Sequence, residues 1–282
     1  MLQPELLSIE MSDGYTAHAE YWTAPAGSPA VLHIHGIQSH CGWYTDTCRA
    51  INAAGFAVLQ VDRRGCGRNE SARGHAESHQ QLIDDGVTAA QVLLDRSGAT
   101  RVHLVGVSWG GKLVAAMHAL HPQRTASLTL IAPGLFPIID VSNAEKFRIG
   151  WSMVAHPDKL YDIPLNDAEL FTDNPERIDY IANDPLALHQ ATAGFFLASR
   201  RMDKVCRKLA DAPPVPVHLT LAGDERIIDN DHTRKFVAEL PWPHRLVSFY
   251  ENARHTIEFG ADRDQFVADL IGFLQDPAEV LA

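Results

Sequence analysis

Apolar and polar residues alternate in two stretches near the start of the chain, residues 6–11 and 15–22. A period of two marks a half-buried strand, and the intervening Ser12-Asp13-Gly14 has turn chemistry, so the pair predicts an N-terminal β-hairpin. After a Pro/Gly loop at 24–29 the pattern changes to short, nearly unbroken apolar runs. Residues 30–36, 57–61, 101–106 and 128–131 read as buried strands. Between them, residues 45–54, 82–95 and 109–120 carry helical spacing. Strands alternating with helices of this length predict an α/β fold: a mostly parallel sheet with helices on both faces.

The alternation stops after residue 132. From 133 to 216 the chain offers helical segments and Pro-rich turns but no strand pattern. That is far longer than a crossover needs, so the segment is expected to be an inserted helical cap, or lid. Strand and helix patterns resume at 217–222, 231–240, 245–250 and 262–275. The expected organisation is therefore one core domain, residues 1–132 and 217–282, with a cap at 133–216.

Composition narrows the possible partners. A formal net charge of −11 over 282 residues, without a Lys/Arg cluster, argues against nucleic acid or an anionic membrane as the main partner. No apolar run approaches the roughly 18 residues of a membrane span, so no integral membrane segment is expected, though an apolar cap face remains open to transient contact with lipid. The first residues lack signal-peptide chemistry, and Cys41, Cys48, Cys66 and Cys206 form no CxxC pair. Reduced thiols and a cytoplasmic location are the expectation.

The chemistry centres on Gly106-Val107-Ser108-Trp109-Gly110-Gly111, where a strand pattern passes directly into a helix pattern. A serine at such an apex is a nucleophile elbow, and the flanking glycines leave room for the sharp turn. A serine nucleophile needs a base, an acid that orients the base, and hydrogen-bond donors for the oxyanion. Of the downstream loops, 250–256 offers His255 as the base, and 221–229 offers Asp224 and Glu225 as the acid, between which spacing alone does not choose. The oxyanion donors expected are the N–H groups of Trp109, which follows the nucleophile, and of Ile37, which follows the His35-Gly36 turn. Gly36 lets that turn face the site, and the His35 side chain is expected to orient the loop rather than react.

These motifs together carry a family likeness. His35-Gly-Ile-Gln-Ser-His40-Cys-Gly-Trp-Tyr44 resembles the HGxxxHxxxY signature of the monoacylglycerol lipase and lysophospholipase group of α/β-hydrolases, the serine-aminopeptidase-like clan. Asp62-Arg-Arg-Gly-Cys-Gly-Arg68, Arg73-Gly74-His75, Asp85 and Asp184-Pro185-Leu186 extend the likeness over nearly the whole chain. The resemblance implies the α/β-hydrolase fold and a Ser/acid/His hydrolase of carboxylic esters, acyl glycerols or lysophospholipids among them, working without a cofactor. It also aligns Glu225, just before Arg226-Ile227-Ile228-Asp229, with the family's catalytic aspartate, and leaves Asp229 as a helix cap. The same triad serves peptidases and carbon–carbon bond hydrolases, and a silent receptor can keep the fold; these are the alternatives.

Other features have plainer readings. Gly106 to Lys112 satisfies most of a P-loop pattern, but Leu113 stands where a Mg²⁺-binding hydroxyl belongs. His33, His35 and His40 lack the spacing of a metal site and are expected to pack or to orient loops. Arg63, Arg64 and Arg68 are expected to be solvated or salt-bridged, and Cys41 and Cys66 to be buried filler. Phe147, Trp151, Phe195 and Phe196 are assigned either to an acyl channel or to the cap's own core.

Overall fold

The computed structural model describes residues 3–278, apart from the side chain of Val154. The predicted hairpin is β1 (Glu5–Glu10) and β2 (Thr16–Trp22), paired antiparallel with Glu10 opposite Thr16. It is joined by β3 (Ala30–Ile34), β4 (Ala57–Val61), β5 (Val102–Val107), β6 (Thr125–Ile131), β9 (Val217–Ala222) and β10 (Arg245–Tyr250). The order across this eight-stranded sheet is β1-β2-β4-β3-β5-β6-β9-β10, parallel from β4 onward. Every residue of β3, β4, β5 and β9 is buried, as central strands covered on both faces must be. Edge strand β10 alternates exposed and half-buried positions instead.

Helices α2 (His79–Ser97) and α3 (Trp109–Leu120) pack together over the central strands. Helix α1 (Thr45–Ala53) lies against β2, β4 and α8 (Arg263–Gln275), and α7 (Asn230–Ala238) against β9 and β10. The parallel strands all end at the same edge of the sheet, so the loops after β3, β5, β9 and β10 converge there. A functional site in an open α/β sheet belongs at that edge.

Between β6 and β9 run α4 (Asn143–Ala155), α5 (Pro175–Ala182) and α6 (Ala193–Cys206). This segment also contains the strands that the sequence pattern does not reveal. β7 (Leu160–Asp162) and β8 (Gln190–Thr192) form a short antiparallel ribbon. Three residues per strand are too few for a period of two to register, and Thr192 at once caps α6 by accepting from the Phe195 N–H. Helix α6 leans on both α2 and α3, tying the segment to the core.

Candidate active site

The turn between β5 and α3 is a single residue, Ser108, held at φ 52° and ψ −120°. For a residue with a β-carbon that is strained, by about 1–3 kcal/mol. The surroundings over-determine it. The Ser108 N–H donates to the Ile131 carbonyl at 2.8 Å, and its carbonyl accepts from Gly111 at 2.9 Å and Gly134 at 2.8 Å. The neighbouring glycines are required by close approach: a β-carbon at Gly106 would sit 2.4 Å from the Gly110 carbonyl oxygen, and one at Gly110 2.3 Å from that of Ile34. Lys112, the lysine of the P-loop pattern, does not face a phosphate cradle; its Nζ pairs with Asp203 at 2.6 Å.

His255 Nε2 lies 2.8 Å from Ser108 Oγ, and His255 Nδ1 lies 2.9 Å from both Glu225 carboxylate oxygens. Both side chains are almost fully buried. The Glu225 carboxylate is itself anchored, since Oε1 accepts from the Ile227 N–H at 2.8 Å. The Phe171 ring meets the imidazole edge to face, closing it from solvent. Asp224 points the other way, to Arg226 at 2.7 Å and Arg254 at 3.1 Å, and the Arg226 hydrogen bond holds its carboxyl below the usual range. Asp229 caps α7 by accepting from the His232 N–H.

The loop after β3 lies directly against the serine: a β-carbon at Gly36 would stand 3.4 Å from that of Ser108. Residues of the HGxxxHxxxY motif build it. The Gly36 N–H donates to Ser39 Oγ at 2.9 Å, and Ser39 is 2.9 Å from the Tyr44 hydroxyl. His35 Nε2 accepts from the Arg63 N–H at 2.9 Å, so its proton resides on Nδ1, which faces the Gly36 carbonyl at 2.8 Å. Burial and the adjacent Arg63 charge keep His35 neutral, well below the usual histidine range. His40 Nε2 reaches Asp184 at 2.9 Å, so two stretches that carry the family likeness meet in space. The Ile37 N–H donates to no group among the described residues, and Trp109, as the first residue of α3, has no intrahelical acceptor for its N–H.

Above Ser108, Ile37 and Trp109 opens a cavity of about 380 Å³. Ile139, Val141, Ile149, Met153, Leu165 and Phe196 give it an apolar wall, and Lys112, Ser199 and Asp203 a polar patch. Of the aromatic residues assigned to a channel or cap core, Phe196 lines this cavity and Phe195 is buried, stacked on Trp109. Phe147 and Trp151 do neither. They are 78 % and 72 % exposed, one helical turn apart on α4. Arg64 is salt-bridged to Asp85 and Asp13 as expected, but Arg63 is neither solvated nor paired with a carboxylate: it is buried, with its guanidinium over the Trp109 ring. Polar sequence company gave no sign of this. Among the described residues no group of His, Cys, Asp or Glu is arranged to hold a metal ion.

The fold and this loop convergence are those of an α/β-hydrolase, of the type found in lipases and esterases. Residues 27–262 match the family described as serine aminopeptidase, S33, and the chain belongs to that family. Its relatives include Phospholipase YtpA of Bacillus subtilis, 25 % identical over 84 % of this chain and 92 % of the relative. Monoacylglycerol lipase of Mycolicibacterium smegmatis is 23 % identical over 89 % of each chain. A soluble variant of monoglyceride lipase from Saccharomyces cerevisiae, solved with a substrate analog, superimposes with a TM-score of 0.85, covering 98 % of this chain and 96 % of that one at 17 % identity.

Proposed function

We propose that the protein hydrolyses carboxylic esters of lipid-like acids, acyl glycerols or lysophospholipids, through an acyl-enzyme on Ser108. The observation that carries this is the unbroken chain Ser108 Oγ–His255 Nε2, 2.8 Å, and His255 Nδ1–Glu225, 2.9 Å, at the base of an apolar cavity. His255 takes the serine proton as Oγ attacks the ester carbonyl, forming one C–O bond while the carbonyl π pair moves to oxygen. Glu225 holds the imidazole with Nε2 facing serine and stabilises the imidazolium. The N–H groups of Ile37 and Trp109 receive the oxyanion. Collapse expels the alcohol, which takes the proton from His255; water then enters by the same route and releases the acid and free Ser108.

In this reading the 133–216 segment is the cap that supplies the acyl wall. Its exposed Phe147, Trp151 and Ile138 rest on the lipid aggregate from which substrate is drawn. Four free, buried thiols fit a reducing, cytoplasmic setting. No helix among the described residues is long and apolar enough to cross a membrane.

The test is Ser108→Ala, assayed on p-nitrophenyl butyrate and on a panel of monoacylglycerols and lysophospholipids. Turnover should fall to background with the thermal midpoint preserved, and a fluorophosphonate should label the wild type but not the variant. Retained turnover in Ser108→Ala removes the reading; an unlabelled wild type returns the protein to the silent-receptor class.

A further inference from the structure

Arg63 is a buried cation that no carboxylate contacts directly; Asp62, its chain neighbour, acts on it only through space. Its Nη2 donates to the carbonyls of Gly36 at 2.9 Å and Ile37 at 2.8 Å, while Nε and Nη1 are buried without a partner among the described residues. Its flat guanidinium lies 4.4 Å from the centre of the Trp109 ring and 5.7 Å from that of Phe195. An arginine keeps its proton in proteins, and burying that charge without a contacting carboxylate is costly, so the arrangement calls for a purpose. Its contacts name one, for Ile37 and Trp109 both line the cavity above Ser108 and supply the two oxyanion donors of the proposed reaction.

We propose that Arg63 is a positioning residue for the oxyanion hole, aligning and polarising both of its donors. The Gly36 carbonyl and the Ile37 N–H belong to one trans peptide unit and point in opposite directions. A guanidinium gripping that oxygen from one side therefore aims the N–H at the other, where Ser108 stands. Donation to the carbonyl also polarises the amide and makes its N–H a stronger donor. On the second donor, the cation fixes the Trp109 indole from one face, while its Nε1 is tied to Ser199 Oγ at 2.9 Å. With the indole locked, the residue that opens α3 is held in place beside the cation. The net positive charge behind both donors favours the oxyanion over the neutral ester, so the benefit appears in the transition state rather than in substrate binding.

The inference rests on Ser108 as nucleophile, and the experiment keeps the two apart. Arg63→Lys and Arg63→Met are compared with wild type on p-nitrophenyl butyrate and with 1,1,1-trifluorooctan-2-one, whose adduct with the serine places an oxyanion in the hole. Losing one direct oxyanion donor costs about 10²–10³ in rate, so misaligning both without removing either should lower kcat about 10–100-fold in Arg63→Met. KM should stay within about threefold, and the ketone inhibition constant should rise by the same factor as kcat falls. Arg63→Lys, the milder change and the decisive one if the methionine variant does not fold, should still lose about tenfold, because an ammonium cannot grip both carbonyls and lie flat on the indole. A folded Arg63→Lys with wild-type kcat overturns the proposal, as does a fall in kcat without a matching rise in the ketone constant. If Ser108→Ala is inert while both Arg63 variants behave as wild type, this inference alone fails; if Ser108→Ala turns over, the underlying reading fails first.

Discussion

Asp224 and Glu225 are adjacent in the chain but belong to different environments. Glu225 is buried with both oxygens 2.9 Å from His255 Nδ1, whereas Asp224 is half exposed and held by Arg226 and Arg254. Glu225→Gln should therefore lower kcat by about 10³–10⁴, because an amide that donates toward Nδ1 favours the wrong imidazole tautomer. Asp224→Asn should change it by no more than a few-fold, the surface pairs contributing little. Steady-state kinetics on one soluble ester decides the matter, and the reverse ranking would move the acid one residue back.

That contrast shows where sequence reasoning reaches its end. Periodicity locates every strand of the main sheet, because each is a buried apolar run or an alternating stretch between turn residues, and the elbow and the His255 loop lie at strand ends where such chemistry must lie. Choosing between neighbouring carboxylates needs the path of a loop, which residue types do not encode; the family likeness chose Glu225, and that is the carboxylate facing His255. The β7–β8 ribbon is too short to carry a period. Arg63 looks like any loop arginine until the carbonyls and indole around it are placed. Phe147 and Trp151 look like core residues because apolar character does not say which face of α4 is covered.

The exposed pair on α4 gives the second prediction. Phe147→Ser/Trp151→Ser removes apolar surface that touches no core, so stability should change by no more than about 0.5 kcal/mol. Hydrolysis of a water-soluble short ester should be unchanged, while hydrolysis of a long-chain monoacylglycerol presented in micelles, and retention on lipid vesicles, should fall several-fold. Equal loss on both substrates would place these residues in substrate binding instead of lipid contact.

The tie between the loop after β3 and the 133–216 segment gives the third. Asp184 accepts from His40 Nε2 at 2.9 Å, the Trp43 indole at 2.6 Å and the Leu186 N–H at 2.9 Å. Asp184→Ala strands two buried side-chain donors, each worth about 1–3 kcal/mol. Urea unfolding should show a loss of about 2–5 kcal/mol. A loss below about 0.5 kcal/mol would mean that the segment is held without this contact.

The fourth concerns pH. Glu258 is buried with Thr47 Oγ1 at 2.6 Å, and burial raises its pKa from 4.5 to about 8. Its folded form thus binds a proton that the unfolded chain releases above about pH 4.5. The stability this represents is fully present below that pH and is lost as pH rises toward 8, at up to about 1.4 kcal/mol per pH unit. Glu258→Gln keeps a partner for Thr47 without the titration. Its thermal midpoint, relative to wild type, should therefore climb steadily from pH 5 to pH 8 and level off beyond. The buried histidines act in the opposite sense, since burial lowers His33 to about 3 and His103 and His218 to about 4, so their contribution is lost on acidification below 6.5. They are common to both proteins and cancel in the difference. A flat difference curve between pH 5 and 8 would mean that Glu258 is ionised where it is buried, with a counter-charge doing what burial alone cannot.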